Sequence, residues 1–561
     1  MKKQKNSLEL SRVDILCIAV LIISTLFFFI RIYPIIFAVH DDMRNYTLVR
    51  RGILVENAVA SAKNGRISHL WNHLLLGFPY ILNKVWFYKL VSYVTTLFDL
   101  WTMWLLAWKH IDKHLAWITS ASFMAFATIN ASHNLFIAYP FCHQLPLGFI
   151  LLSIHFFLNW LEKRKTSAIV VSCLFYLMAS MIYEAFLPFV LVYAMLVAVH
   201  DDKKSRSFGK YILHIICCIL PHTITGAAYS IVYFTWRHFY PPFYAGTKLY
   251  LAEPVRTIEA LLKYSFAMVP EYEAAYAIHG AVPASDILRS IGIVGLVKAV
   301  LITAAFVMFV KKYGEKINFK GKMFAFITCI FMPNVLIALS QQHLESSKRG
   351  VINYLSSLYS YPFLLIVTAG ICCMVYAHFK NKNLRTLLLA CAGAVVVLNS
   401  FTADYTNFYW CNYYGAQSVR YKNFDHAVAS DEVTNCDSNW QIYAPDNMGI
   451  HKLSSYTIDY IRIYDDTPAD SFILTADKLK EDKNVLCMRS DPNYQLMILG
   501  EADDAFCSKE VTIATILPQE FNVVMHTKSG KEVVYSGITD DQTITAPDGD
   551  PFDMNVRVTL K

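Results

Sequence analysis

Two adjacent aspartates, Asp41 and Asp42, directly follow the first long apolar stretch of the chain, which runs from about Val13 to Val39. Ionisable groups at a membrane boundary are costly unless they are solvated, paired or functional. A carboxylate placed there could remove a proton from a hydroxyl group or hold a divalent ion through its oxygens. The alternative is a pair of solvated residues that cap a surface helix, because aspartate is favoured at helix N-termini.

Three further side chains are candidates for binding or catalysis. Glu184 lies between two apolar segments, where it could reach the same cavity as Asp41 or pair with a cation for structural reasons. His143 could contact a phosphate or a carboxylate, although a loop histidine is more often simply hydrogen-bonded. Arg349 precedes a late apolar segment, and its planar fork suits bidentate binding of phosphate. Arg349 could equally anchor the chain at the membrane interface beside neighbouring tyrosines.

The elements that must position these residues are eleven apolar segments. They begin near residues 13, 87, 115, 145, 168, 185, 210, 290, 322, 361 and 384. A helix needs about 20 apolar residues to cross a bilayer, so the pattern predicts a polytopic α-helical membrane protein with about eleven spans. The composition agrees, because 55% of the residues are hydrophobic and only 17% are charged, which excludes an ordinary soluble protein.

The connections between these segments alternate in character. Short basic connections, such as Lys109 to His114 and Lys380 to Arg385, are predicted to face the cytoplasm. The longer aromatic loops, including a first outer loop over residues 40–86, are then predicted to lie outside. The first stretch is longer than a typical signal peptide core and is predicted to be an uncleaved span. We therefore expect a cytoplasmic N-terminus, an extracytoplasmic C-terminus and a location in a bacterial inner membrane.

The charge distribution argues against a nucleic-acid partner. The whole chain has a formal net charge of +7, yet residues 403–561 contain 13 basic and 25 acidic residues. The positive excess therefore lies in the short loops of the remaining part, where membrane topology accounts for it.

The tail, residues 403–561, is predicted to be a soluble extracytoplasmic domain attached to a membrane domain of residues 1–402. Short alternating runs separated by turn residues predict strands, one of them at Thr457 to Tyr464. Thr467 to Asp482 is predicted to be a helix. The domain should thus be strand-rich, α/β at first and then β, with a small β-sandwich over about residues 509–561.

Two kinds of side chain in the tail leave alternatives open. Trp440 could stack on a sugar ring or pack into the core. Cys411, Cys436, Cys487 and Cys507 could form up to two disulfides in an oxidising compartment.

The first outer loop resembles that of the GT-C superfamily, integral membrane glycosyltransferases that use polyprenyl-phosphate-linked sugars. In that family an acidic pair after the first span leads into a juxtamembrane helix, a glycine-containing turn, a Gly-x-Pro stretch and a basic or aromatic approach to the second span. The matching features here are Asp41-Asp42, a helix around Tyr46 to Ala62, Gly65, Gly77-Phe-Pro79 and Lys84 to Leu90. The resemblance covers this loop closely and the remaining spans in topology.

The resemblance implies an inverting transferase that moves a sugar from a polyprenyl phosphate to a glycan, lipid or protein acceptor of the cell envelope, polysaccharide included. Asp41 would be the catalytic base, and Asp42 would assist it or help to hold a divalent ion, Mg or Mn, as in metal-dependent members. Lys84 would lie near the lipid phosphate, although the Lys-Pro-Pro pattern of some members is absent. Arg349 and His143 would contact the donor phosphate, and Glu184 would be a supporting acid.

Two other functions fit the same residues. A transporter or flippase of a lipid-linked glycan would also need intramembrane acids and aromatic surfaces, although transporters commonly show pseudo-symmetric halves and the sequence has no clear repeat. A non-catalytic envelope assembly protein would carry its function in the tail.

Overall fold

The structure is a computed structural model. It describes residues 10–561 except 130–132, 201–206, 243–245, 247, 278–283, 318, 320, 352–353, 447–471, 474, 494 and 540–541. The chain divides into two compact units, and each is described by itself. The membrane unit contains the chain up to Tyr33 and Ile53–Cys411. The C-terminal unit contains Pro34–Gly52 and Asn412–Lys561.

Helices dominate the described chain up to residue 434. In chain order they are α1 (Arg12–Ile32), α2 (His40–Arg50), α3 (Leu54–Ala62), α4 (His69–Gly77), α5 (Val85–His110), α6 (Lys113–Ala125), α7 (Leu145–Lys163), α8 (Thr166–Ile182), α9 (Val190–His200), α10 (Phe208–Phe239), α11 (Pro254–Phe266), α12 (Pro270–Ala277), α13 (Ala284–Tyr313), α14 (Met323–Ala338), α15 (Gln341–Lys348), α16 (Ser357–His378), α17 (Lys382–Val428) and α18 (Asp431–Thr434). Helix α2, the end of α17 and α18 belong to the C-terminal unit.

Every one of the eleven predicted apolar segments contains a helix, which confirms a polytopic α-helical membrane protein. Within the described residues, seven helices are long and apolar enough to cross a membrane: α1, α5, α7, α10, α13 from Leu288, α16 and α17. Helices α8, α9 and α14 are apolar but shorter than a full span. Helix α6 has only 13 residues. At these four places a segment of about 20 apolar residues therefore extends beyond the helix into the adjoining loop.

Local sequence explains where the first helix begins and ends. Ser11 caps α1 by accepting a hydrogen bond from the Asp14 amide at 3.3 Å, and the Asp14 carboxylate accepts one from the Ser11 amide at 2.8 Å. This reciprocal capping satisfies two backbone donors that have no partner inside a helix. Helix α1 stops at Ile32, two residues before Pro34, which has no amide hydrogen to continue the helical hydrogen bonds.

A buried ionic triad joins three helices of the membrane unit. Asp404 on α17 pairs with Arg31 on α1 at 3.3 Å and with Lys298 on α13 at 2.8 Å. Gly295 leaves room for the carboxylate, since a Cβ atom there would lie 2.6 Å from Asp404 Oδ2. A buried charge is tolerated only when it is paired, so these contacts fix the relative positions of the three helices.

Strands form most of the described part of the C-terminal unit. They are β1 (Trp440–Tyr443), β2 (Phe472–Ile473), β3 (Asn484–Ser490), β4 (Met497–Ala502), β5 (Cys507–Ser508), β6 (Glu510–Ala514), β7 (Phe521–His526), β8 (Glu532–Ile538), β9 (Gln542–Thr545), β10 (Phe552–Asp553) and β11 (Thr559–Leu560). A six-stranded sheet has the order β2-β1-β3-β4-β6-β9, parallel at β2, β1 and β3 and antiparallel thereafter. A three-stranded sheet has the order β11-β7-β8, and β5 pairs with β10.

The two larger sheets share one hydrophobic core. Val511 and Ile513 from the first sheet meet Phe521, Val523 and Met525 from the second. Residues 509–561 therefore do not form a separate sandwich, because β6 and β9 complete the larger sheet that β1 to β4 begin. The strand-rich character is confirmed, and the early parallel strands agree with the predicted α/β part.

Several boundaries differ from those predicted. Residue 402 lies inside α17, and the compact units separate after Cys411 instead. The predicted strand at Thr457 to Tyr464 and the beginning of the predicted helix at Thr467 to Asp482 lie outside the described residues. The rest of that predicted helix contains β2 and a short 3-10 turn, Ala476–Lys478. All 13 cysteines lie in the described residues and are free thiols.

Candidate active site

The aspartate pair lies in the first turn of α2, in the C-terminal unit. Asp42 is completely buried, whereas Asp41 is half-buried. This position stabilises both carboxylates, because the N-terminus of a helix carries partial positive charge. Neither aspartate is the N-cap residue, which is Val39, and the complete burial of Asp42 also differs from the predicted alternative of a solvated cap.

The segment before α2 is fixed on the end of α17. The Ile36 amide donates to the Ser418 hydroxyl at 2.8 Å, and that hydroxyl donates to the Ile36 carbonyl at 3.2 Å. Phe37 has a φ of 50° and packs its ring on Tyr46 and Tyr421, with centroids 5.3 and 5.6 Å away. These contacts determine where the chain turns into α2 and thereby where the two carboxylates lie.

Glu184 is the centre of a second polar cluster, in the membrane unit. It begins the 3-10 turn Glu184–Phe189 between α8 and α9. Its carboxylate accepts hydrogen bonds from the Tyr229 hydroxyl, at 3.5 Å, and from the Ser68 hydroxyl, and it faces the Arg66 guanidinium. Tyr233, one turn further along α10, interacts with both Glu184 and Arg66. The sequence analysis left open that Glu184 interacts with a cation for structural reasons. In the structure the cation that faces Glu184 is Arg66.

The approach of Arg66 and Ser68 to Glu184 depends on the turn after α3. Gly65 has a φ of 83°, and a Cβ atom there would lie 2.6 Å from the Tyr240 carbonyl oxygen. Only glycine accepts this backbone and this closeness without strain. The Trp236 indole donates to the Ala62 carbonyl at 2.8 Å, which holds the same turn against the end of α10.

Helix α4, which follows the Gly65 turn, is hydrogen-bonded to the end of α8. The Trp71 indole donates to the Met181 carbonyl and the Asn72 amide donates to the Ile182 carbonyl, each at 2.9 Å. Met181 and Ile182 end α8, immediately before Tyr183 and Glu184. The loop after the first long helix is therefore bonded directly to the turn that carries the glutamate.

Histidine and tyrosine rings extend the Glu184 cluster. His143 packs on Tyr183 with centroids 5.7 Å apart, and its carbonyl accepts a hydrogen bond from the Tyr359 hydroxyl at 2.6 Å. The structure thus places the predicted phosphate contact His143 one tyrosine away from Glu184. The ring of Tyr139 lies 5.4 Å from His143 on its other side.

His343 on α15 faces the same cluster. Its ring packs on Tyr354 with centroids 4.1 Å apart. Burial, together with the neighbouring charges of His133 and Arg66, lowers the pKa of His343 to about 4. His343 is thus neutral at physiological pH and can donate or accept a hydrogen bond without adding charge.

Two of the predicted donor-binding residues lie elsewhere. Lys84 is exposed immediately before α5. Arg349 is exposed at the end of α15, beside Lys348, whose ammonium group pairs with Glu253 and Glu345 at 2.9 Å. The arginine that faces Glu184 is Arg66. Each of these residues belongs to the membrane unit, whereas Asp41 and Asp42 belong to the C-terminal unit.

Sequence reasoning did not select Arg66, Ser68, Tyr229, Tyr233 or His343. The first two stand in the Gly65-Arg-Ile-Ser68 stretch, where an arginine directly after a glycine turn in the matching loop was an available signal. Tyr229 and Tyr233 lie four residues apart on a long apolar helix, where tyrosine is common. Only the packing of that helix against Glu184 distinguishes them.

Each of the two groups, taken by itself, suits one kind of chemistry. A partly exposed carboxylate beside a buried one is suited to taking a proton, and an arginine with tyrosine hydroxyls is suited to binding phosphate oxygens. Within the described residues, no group of three or more His, Cys, Asp and Glu side chains is arranged to hold a metal ion.

No protein-family model and no curated protein matches the chain. Solved structures that are similar to it include the following two. The crystal structure of ArnT from Cupriavidus metallidurans in the apo state is 12% identical, with 86% of this chain and 93% of that chain covered and a TM-score of 0.34. The cryo-EM structure of arabinosyltransferase EmbB from Mycobacterium smegmatis is 9% identical, with 97% of this chain and 62% of that chain covered and a TM-score of 0.29. Both TM-scores are low, so the roles of residues are argued from this chain alone.

Proposed function

We propose that the chain is a membrane glycosyltransferase that moves a sugar from a polyprenyl-phosphate donor to an extracytoplasmic glycan, lipid or protein acceptor. One observation carries the proposal. The loop that follows the first long apolar helix supplies the aspartate pair of α2 and, further along, Arg66 and Ser68 of the Glu184 cluster. The segment that resembles the GT-C loop in sequence thus contributes residues to both polar groups.

In the proposed reaction, Asp41 takes the proton of an acceptor hydroxyl while the hydroxyl oxygen attacks the anomeric carbon of the donor. The bond from that carbon to the phosphate oxygen breaks, and the configuration inverts. Asp42, buried next to it in the first turn of α2, would assist Asp41. Fixed charges of this kind lower the barrier because they need no reorganisation during the reaction.

Within the membrane unit, Arg66 of the Glu184 cluster is the proposed contact for the donor phosphate. The guanidinium fork can bind two phosphate oxygens at once, and the Tyr229 and Tyr233 hydroxyls are further donors. His143 and Glu184 would order this group of side chains. Lys84 and Arg349, both exposed, would contact the donor before it reaches this position.

A divalent ion remains a proposal attached to Asp42. The residue type fits, because Mg and Mn prefer carboxylate oxygens. Transfer measured with and without a chelator, followed by addition of each metal, tests it.

The proposed orientation places the acidic pair and the C-terminal unit outside a bacterial inner membrane and the N-terminus in the cytoplasm. The basic connections in the membrane part support this orientation. Accessibility of single introduced cysteines to an impermeant reagent would test it.

The central test is the Asp41→Asn variant, assayed in lipid nanodiscs with a labelled polyprenyl-phosphate sugar. We expect transfer to fall by at least about a hundredfold, the lower end of what a general base contributes. Asp504→Asn is the matched control, because Asp504 belongs to another Asp-Asp pair and is exposed. Full activity of Asp41→Asn would refute its role as the base. Movement of labelled lipid across the bilayer without sugar transfer would identify a flippase instead.

A further inference from the structure

The six-stranded sheet of the C-terminal unit has one face in the core and one face that lines an open groove. Alternation along β6 and β9 divides the side chains between the faces. Val511, Ile513 and Ile544 lie in the core, whereas the intervening Thr512 and Thr543 line the groove. The groove has a volume of about 870 Å³. Sites for small organic ligands occupy about 300–1,000 Å³, so the groove is large enough for a ligand of several rings.

Strand pairing arranges the groove floor in two rows. One row is Leu499, Thr512 and Thr543 on β4, β6 and β9, and the two threonine hydroxyls lie 3.3 Å apart. In the other row, Glu510 is paired with Thr545, whose hydroxyl donates to the Glu510 carboxylate at 3.4 Å. Strands are about 4.8 Å apart, so the floor presents hydroxyl and carboxylate groups at regular intervals.

The wall of the groove adds an aromatic surface and more carboxylates. Trp440, at the start of β1, is half-buried and lines the groove. Glu432 on α18 accepts a hydrogen bond from the Thr512 hydroxyl, which joins the wall to the floor. Glu501 on β4 is exposed on the same side.

The charges of the lining restrict the class of ligand. Among the described residues of the lining, Glu432, Glu501, Asp503 and Glu510 are opposed by one cation, Lys509. Ionised carboxylates only accept hydrogen bonds, so the ligand must supply donors. An anionic ligand would be repelled by the excess of negative charge. Hydroxyl groups and ammonium groups both meet these requirements, and the C–H face of a sugar ring can stack on an indole.

We infer that this groove binds a saccharide of neutral or amino sugars. The inference rests on the proposed function for one point only, which is that such a saccharide would be the acceptor. The site itself is argued from the floor, the wall and the charge of the groove. It predicts selectivity against saccharides that carry carboxylates.

The experiment measures binding of the full-length protein in nanodiscs to three tetrasaccharides, one neutral, one of amino sugars and one of uronic acids. We expect the first or the second to bind at millimolar concentration or below, and the uronic tetrasaccharide not to bind. Trp440→Ala should weaken binding at least tenfold, whereas Trp440→Tyr should retain most of it because an aromatic face remains. Trp410→Ala, outside the groove lining, is the control.

Further variants keep the inference testable if Trp440→Ala fails to fold. Glu501→Gln and Thr543→Val alter exposed groups of the lining and should each weaken binding without lowering the unfolding temperature. Failure of both the neutral and the amino tetrasaccharide to bind, unchanged binding in every groove variant, or binding of an unmodified peptide instead would overturn the inference.

The outcome also separates the inference from the proposed function. Saccharide binding in a protein that never transfers sugar would contradict the proposed function and leave the groove assignment standing. Sugar transfer with no saccharide binding would overturn the groove assignment alone.

Discussion

At the scale of single residues, the two polar groups differ in how their charge is balanced. Asp42 is buried in the first turn of α2, where the helix terminus offers favourable potential. Glu184 has explicit partners in Arg66, Ser68 and Tyr229. These contacts hold the Glu184 carboxylate in place, and the base role of Asp41 stays a proposal. The Glu184 cluster is better suited to orienting Arg66.

Arg66 should be the more sensitive of the two candidate phosphate-binding arginines. We expect Arg66→Lys to reduce transfer at least about tenfold, equivalent to ~1.4 kcal/mol, because lysine cannot bind two oxygens as a fork. Arg349→Lys, at an exposed site, should remain near full activity. Initial rates with a lipid-linked sugar measure both. The opposite ranking would place the donor phosphate at the end of α15, as the sequence analysis predicted.

His343 should make stability depend on pH. Its pKa is lowered from 6.5 to about 4 by burial, with His133 and Arg66 adding to the effect. Between these two pH values the unfolded chain binds a proton that the folded chain does not. The free energy of unfolding therefore decreases as pH falls through this window, by about 3 kcal/mol in total, and is unaffected above it.

Unfolding temperatures measured across the window check this prediction. His343→Gln should flatten the pH dependence, since a glutamine does not titrate. His238→Gln replaces an exposed histidine and should leave the dependence unchanged. Equal pH profiles for the unaltered protein and His343→Gln would contradict the prediction.

At the scale of elements, the loop between α1 and α5 is built by contacts to distant helices. Gly65 lies against the backbone at the end of α10, and α4 is bonded to the end of α8. The triad of Arg31, Lys298 and Asp404 similarly joins α1, α13 and α17. In the membrane unit, a small number of polar contacts thus fixes the positions of these helices and of this loop relative to one another.

Substitution of Gly65 tests the role of its turn. In Gly65→Ala, the left-handed backbone and the clash with the Tyr240 carbonyl should together destabilise the protein by more than about 2 kcal/mol, and displaced Arg66 should lower transfer. Gly350→Ala is the matched control. Gly350 also has a positive φ, 87°, but no atom lies within 4 Å of a Cβ there, so its cost should be about 1 kcal/mol. Similar unfolding temperatures for the two variants would contradict the close approach.

At the scale of the whole molecule, apolar helices and a strand-rich C-terminal unit are stabilised by packing, with no covalent cross-link among the 13 cysteines. The possibility of two disulfides in the tail is not realised in this structure. Cys436, Cys487 and Cys507 are buried thiols. In these surroundings a thiol packs as a small apolar group.

Reductant should therefore leave the stability of the chain unchanged. We expect the same unfolding temperature with and without dithiothreitol, because only the loss of a disulfide would cost about 2–5 kcal/mol. Mass spectrometry after alkylation of the unfolded protein should find 13 modified cysteines without prior reduction. Fewer labelled cysteines, together with a lower unfolding temperature in reductant, would contradict the free thiols.

The sequence by itself determined the class of this protein, because the hydrophobic length of a segment and the alternation of a strand are local properties. It identified all eleven apolar segments and the strand-rich tail. It also singled out Asp41 and Asp42 by their position after the first segment, and their roles stay predictions. The prediction of a small sandwich at residues 509–561 was wrong, because β6 and β9 complete the six-stranded sheet. The sequence of a strand does not show whether it begins a new sheet or completes an existing one.

The tertiary structure decided which side chains meet. Arg66 and Glu184 are separated by more than a hundred residues, and neither residue carries a local sign of the other. They come together because Gly65 allows one close backbone contact and because two side chains of α4 bond the end of α8. Burial is equally non-local, so the sequence could single out Asp42 by its position after the first segment but could not predict its complete burial.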